Sequence, residues 1–109
     1  MNKKAVNYFN GKERYNCAQA IMKVYCSQCD DSDIYSFKKA GYGRAPGGMC
    51  GAVYAAGLLV EDTNKRVELE EKFSKAAGSI LCREIRKSRT VSCRRCVALA
   101  EDMLKDYEA

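Results

Sequence analysis

Seven cysteines, at positions 17, 26, 29, 50, 82, 93 and 96, are the residues of this chain best suited to chemistry, and no histidine accompanies them. Without His there is no Ser-His-Asp or Cys-His catalysis, no zinc finger of mixed Cys and His ligands, no HExxH zinc site and no His-ligated haem. Any reaction must rest on thiols, carboxylates, tyrosines or a bound ligand. The odd count leaves at least one thiol free or intermolecular. The thiolate is the nucleophile and the metal ligand, so groups that favour the thiolate mark the cysteines worth following.

Two pairs have CxxC spacing: Cys26-Ser27-Gln28-Cys29 and Cys93-Arg94-Arg95-Cys96. Together they outline a four-cysteine zinc or iron–sulfur signature. Zinc ribbons place each pair on a tight turn, whereas both pairs here read as helical and lie more than half the chain apart. A thioredoxin-type role for CxxC requires a βαβ setting, and none is readable.

The elements that must position these thiols read as helices. A single proline and no alternating run of β-branched residues argue against strands. The pattern predicts an all-α single domain over 1–109: a small bundle of four to five helices with a Gly-rich loop before a central apolar helix. A short helix covers 3–10. The next spans 15–29, with Cys17, Ala18, Ile21, Met22, Val24, Tyr25 and Cys29 on one face and Asn16, Gln19 and Lys23 opposite. Asp30 to Asp33 forms a turn that caps a short helix over 34–40. The loop GYGRAPGG, residues 41–48, leads into the central helix over 49–60. Asn64 caps a long helix over 65–87, with a stripe of Leu69, Phe73, Ala76, Ala77, Ile80, Leu81 and Ile85. Thr90 or Ser92 caps the last helix, 91–107, with a stripe of Cys93, Cys96, Val97, Ala100, Met103, Leu104 and Tyr107.

On this frame Cys17, Cys50 and Cys93 each fall in the first turn of a helix. The partial positive charge there and its orphan N–H groups favour a thiolate. Cys82 lies away from the apolar stripe of its helix, at the end that faces Cys93 if the two helices are antiparallel. A Cys82–Cys93 disulfide or a shared metal is compatible with that placement. Cys26, Cys29 and Cys96 read as small buried hydrophobes, extra ligands or a second exchange step.

The segment between Cys82 and Cys96 carries Arg83, Arg86, Lys87, Arg89, Arg94 and Arg95 against Glu84 alone, a net +5 that equals the charge of the whole chain. Cations near a helix C-terminus are stabilised by its dipole, and beside cysteines they lower thiol pKa and attract anions. Base-stacking aromatics or a recognised motif do not accompany the patch, so nucleic-acid binding is not expected. The 41–48 loop lacks the Walker Lys-Ser/Thr and follows no strand. Its glycines suit a sharp turn and a close backbone approach to Cys17 or Cys82, and its N–H groups suit a small anion.

The basic N-terminus lacks the apolar core of a secretory signal. The charge-free run from Ala45 to Val60 is shorter than the about 18 to 20 apolar residues a membrane span needs. A cytoplasmic location is expected, where structural disulfides are uncommon.

Asn16-Cys17-Ala18-Gln19-Ala20, then Gly47-Gly48-Met49-Cys50-Gly51-Ala52, then Phe73 through Gly78-Ser79-Ile80-Leu81-Cys82-Arg83-Glu84, then Cys93 followed by Val97, resemble the C_GCAxxG_C_C family of small redox-active proteins. The likeness runs over most of the chain in the same order. It implies that the four hallmark cysteines are Cys17, Cys50, Cys82 and Cys93, with Cys96 exchangeable for Cys93. The motif after Cys50 departs at its end, where Ala55 replaces the final Gly and Gly57 follows two residues later.

Three functions fit. One is thiol–disulfide exchange or electron transfer by a thiol–disulfide oxidoreductase. Here Cys50 attacks, activated by its helix start and Arg44; Cys17 or Cys82 resolves, and Cys93 completes a second pair. Its partner is a redox protein or a small thiol. Another is a zinc or Fe–S site on Cys17, Cys50, Cys82 and Cys93. The third is a non-catalytic helical interaction module. The oligomeric state stays open, a homodimer included.

Overall fold

A capping box opens the first helix. The Asn16 side chain accepts from the Gln19 N–H at 2.8 Å, and the Gln19 side chain accepts from the Asn16 N–H at 2.9 Å. Together they satisfy two of the donors that a helix start leaves orphaned. From this start α1 runs Cys17–Tyr25. The remaining helices are α2, Asp31–Ser36, α3, Gly51–Leu59, α4, Thr63–Ala77, α5, Cys82–Ser88, and α6, Cys93–Lys105. Short 3-10 turns lie at Ala5–Asn7, Phe37–Ala40 and Pro46–Gly48. The computed structural model describes residues 5–9, 14–26, 28–40, 45–60, 62–88 and 91–105. Among them are no strands, only two isolated bridges, Phe9 with Tyr15 and Met49 with Leu81. Among the described residues the all-α expectation holds, with six α-helices in place of four to five.

The centre is a stack of small side chains. Ala18, Ala20, Ala52, Ala55 and Ala56 are fully buried, and α1 against α3 is the most extensive helix–helix contact. Small residues let two helix backbones come close. α6 crosses both helices and also meets α4. Phe73, Leu69, Ile21, Val53 and Val97 fill the remaining core.

The expected long helix over 65–87 is two helices. Gly78 stops α4 in the left-handed region, φ 92°, with its N–H bonded to the Ser74 carbonyl at 2.7 Å. Glycine enters that region without a Cβ penalty, and this is a common helix stop. Ser79 then turns the chain: its hydroxyl accepts from the Leu81 N–H and donates to Glu84. Cys82 therefore begins a helix. Its position off the Leu69–Phe73 stripe was a sign of the break, and Ala76 of that stripe is exposed.

Other boundaries shift for local reasons. Asp62, not Asn64, caps α4, accepting from the N–H groups of Asn64 and Lys65. Ser92 caps α6 through the Arg95 N–H. Asp30 and Asp33 form a second capping box that starts α2 at Asp31, earlier than expected. The expected 15–29 helix ends at Tyr25, because Cys26 turns extended as its N–H closes on Met22. The Cys26–Cys29 pair is thus on a turn, not on a helix. Of the expected 3–10 helix, the 3-10 turn is what the described residues contain. Thr90, Tyr107 and residues 41–44, Arg44 among them, lie outside the described residues.

Asn16 and Gln19 are not on a solvent face. They are 5% and 4% exposed. The Asn16 amide donates to the carbonyls of Phe37 and Lys38, each at 3.1 Å, and the Gln19 amide donates to Ile34 at 3.3 Å. Both ends of each side chain are used, which holds the start of α1 to the α2 segment. Glu101 does similar work on α6: it is 3% exposed and accepts from the Ala5 N–H and the Tyr25 hydroxyl. Arg66 closes the end of α3 by donating to Gly57 and Val60.

Asn16→Ala removes a cap and the amide that donates to the part-buried Phe37 carbonyl, and should destabilise the protein by about 2 kcal/mol in urea unfolding. Asn16→Asp keeps the cap oxygen but faces an acceptor to the Phe37 and Lys38 carbonyls, so it should restore little of that loss.

Candidate functional site

Four cysteines stand at helix starts: Cys17, Cys82 and Cys93 are the first residues of α1, α5 and α6, and Cys50 is the N-cap of α3. Two links bring these starts together. The Met49–Leu81 bridge and a 2.7 Å bond from the Cys50 N–H to the Ile80 carbonyl set the start of α3 beside the start of α5. Packing of α1 and α6 on α3 delivers the other thiols. Cys17 donates to the sulfur of Cys50, and Cys50 has Cys96 as its next partner, so three thiols form a hydrogen-bonded chain. Cys82 and Cys93 lie shallower, within electrostatic range of Cys17, with the Arg86 guanidinium beside both. All four expected site cysteines are therefore brought together, and Cys96 joins them. Cys96 is 1% exposed and belongs to the cluster, not to packing alone.

Burial changes the chemistry expected of Cys17 and Cys50. The hydrogen bond to Cys50 raises Cys17 far above the ordinary thiol range, and burial and the neighbouring thiolate charge add to it. The N–H groups of Ala18 and Ala52 do point at this sulfur and lower it, as a helix start should, but they are outweighed. At Cys50 the Cys17 hydrogen bond lowers the pKa, while the Cys96 bond and burial push it up to about 12. Helix-start activation of Cys50 is thus overridden by the Cys96 hydrogen bond and by desolvation, which both disfavour the charged form. Cys82 and Cys93 are raised by burial and by neighbouring thiolates, and in both Arg86 pulls the other way.

Access differs too. Cys93 is the one partly exposed thiol of the five that are free; the others are buried. It opens on a pocket of about 360 Å³ lined by Arg86, Val91, Ser92 and Cys93. Arg83, Lys87, Arg94 and Arg95 of the basic segment are exposed nearby in sequence, and Arg89 lies outside the described residues.

Cys26 and Cys29 are apart from this group. They are disulfide-bonded, with Cα atoms 5.4 Å apart, at the far end of α1 from Cys17. Nine helical steps of about 1.5 Å separate Cys17 from Cys26. Among the described residues no group of three or more Cys, Asp or Glu side chains is arranged to hold a metal ion. No helix among them is long and apolar enough to cross a membrane. The Gly47 and Gly48 backbones have φ of 71° and 78°, and a Cβ on either would meet nothing within 4 Å. These glycines serve a turn, not the close approach to Cys17 or Cys82 that the sequence suggested. The Gly48 N–H is bonded to the Ala45 carbonyl and is not free for an anion.

Sequence reasoning missed Asn16, Gln19, Glu101 and the special place of Arg86. The Asn-x-x-Gln spacing ahead of an apolar run was a readable capping-box signal. Cys96 had a signal as well: it sits one turn after Cys93 on the apolar stripe of α6.

A thiol whose pKa is raised on folding keeps its proton in the native state where the unfolded chain has lost it. Stability is then fully present below about pH 9 and is lost as pH rises toward about 12. Urea midpoints of the reduced protein should fall across that window, and a Cys17→Ala/Cys50→Ala variant should show a shallower fall from a lower starting stability. An unchanged slope would place the alkaline sensitivity elsewhere.

No known protein family, no curated protein and no solved structure matches the chain in comparisons with each.

Proposed function

We propose that this protein is a cytoplasmic thiol–disulfide redox protein whose outer pair is the partly exposed Cys93 and the buried Cys82 beside it. The carrying observation is access: Cys93 alone of the free thiols is partly exposed, with Cys82 and Arg86 beside it. Attack requires a thiolate that a second sulfur can reach. Arg86 stabilises that thiolate, whereas no cation acts on Cys17 or Cys50 among the described residues. Cys93 therefore takes the attacking role that the sequence assigned to Cys50.

Cys17 links the outer pair to Cys50: its charge is felt at Cys82 and Cys93, and it is hydrogen-bonded to Cys50. In this reading a Cys82–Cys93 disulfide is attacked by Cys17, and Cys50 resolves the mixed disulfide. The products are a Cys17–Cys50 disulfide and two free thiols at Cys82 and Cys93. The protons that Cys17 and Cys50 give up go to the two thiolates released from that disulfide. The resemblance of the cysteine pattern to the C_GCAxxG_C_C family agrees with a redox role for these four. The partner is a redox protein or a small thiol.

A Cys26→Ser/Cys29→Ser background leaves only the five clustered thiols. Titration in thiol redox buffers should then show pairs that cycle between about −350 and −120 mV. Cys93→Ser should slow oxidation of the inner pair by at least about tenfold, since that pair lacks its route to solvent. Full thiol titre at every potential would overturn this function.

A further inference from the structure

The pocket beside Cys93 has a chemical character that thiol exchange alone does not require. On one side is Cys93, the accessible sulfur. On another is Arg86, exposed and within range of both Cys82 and Cys93. Val91 adds an apolar wall and Ser92 a polar rim. Its volume of about 360 Å³ falls in the small-molecule range, too small for a folded partner. No carboxylate among the described residues pairs with Arg86. The one acid of the segment, Glu84, is engaged by the Ser79 hydroxyl. A guanidinium offers planar, paired donors that match a carboxylate.

We infer that this pocket selects small disulfides bearing a carboxylate near the sulfur, with Arg86 holding the carboxylate and Cys93 attacking the adjacent sulfur. The inference rests on the thiol–disulfide function proposed above and names its substrate class. Cys93 loses its proton to water and attacks as the thiolate. The substrate S–S bond breaks as the Cys93–substrate bond forms, and one small thiolate leaves and takes a proton from water. Cys82 then loses its proton and attacks the Cys93 sulfur, expelling the second small thiol. Two electrons pass from the protein dithiol to the substrate, which leaves as two thiols, and the protein keeps a Cys82–Cys93 disulfide.

The test uses the full chain, reduced, with three probes of similar size: dithiodiglycolate, which is anionic, 2-hydroxyethyl disulfide, which is neutral, and cystamine, which is cationic. Rates are read by thiol release. Mixed disulfides are located by mass spectrometry in a Cys82→Ser variant. The anionic probe should react fastest, by about tenfold or more over the cationic one at low salt. Arg86→Gln should abolish that ratio, and Arg86→Lys should keep part of it. Arg83→Gln removes the same charge from outside the pocket and should leave most of the ratio intact. The ratio matters more than the absolute rate, because losing Arg86 also raises the thiol and slows all probes alike. Equal rates for all three probes, or equal loss with Arg83→Gln and Arg86→Gln, would overturn the selectivity and leave the thiol–disulfide function standing. Failure of every probe to oxidise the Cys82–Cys93 pair would overturn that function and the inference with it.

Discussion

The bond from the Cys50 N–H to the Ile80 carbonyl, with the Met49–Leu81 bridge around it, is the constraint on which the site depends. It joins two segments that each precede a helix and lie far apart in sequence. Both α3 and α5 leave this point with a cysteine at the start. Gly78 makes the arrangement feasible, since an unbroken helix through residue 80 would use the Ile80 carbonyl internally. Freed from a helix, that carbonyl needs a donor, and the Cys50 N–H is likewise an orphan of its helix start. Each satisfies the other.

Convergence of helix starts has two opposed electrostatic effects. Backbone N–H groups aimed at Cys17 favour a thiolate. Exclusion of water and the presence of other sulfurs favour the thiol. In the interior the second effect prevails, and Cys17 and Cys50 hold their protons. Toward the surface Arg86 opposes it at Cys82 and Cys93. One cluster therefore contains thiols of graded character, with the most accessible beside the cation.

Buried polar side chains hold the frame around this cluster. Asn16 and Gln19 fasten the start of α1 to the α2 segment, and Glu101 fastens α6 to Ala5 and Tyr25. Each bond crosses between elements, so each fixes relative position as well as satisfying a buried group. An apolar interface of alanines can slide; a hydrogen bond at about 2.9 Å cannot slide far.

Much of the helical frame was legible in the sequence, because periodicity and capping are local. The apolar runs of α1, α3 and α6, the Asp30 cap, the Ser92 cap and the placement of Cys17, Cys50 and Cys93 at helix starts follow from neighbours a few residues away. Asp62 in place of Asn64 was a local choice between adjacent capping residues. Gly78 was in view, yet an isolated glycine in a helical pattern does not say whether the helix stops there. That depends on whether a distant donor takes up the carbonyl that the break exposes. Arg86 beside Cys93 was likewise invisible; Cys96, Asn16 and Gln19 carried local signals, but their places in the cluster and the core are set by residues remote in the chain. The sequence by itself determined an all-α chain with cysteines at helix starts. Only the tertiary structure decided which thiols meet and which of them reaches solvent, because burial and long-range hydrogen bonds exist only once the helices are packed.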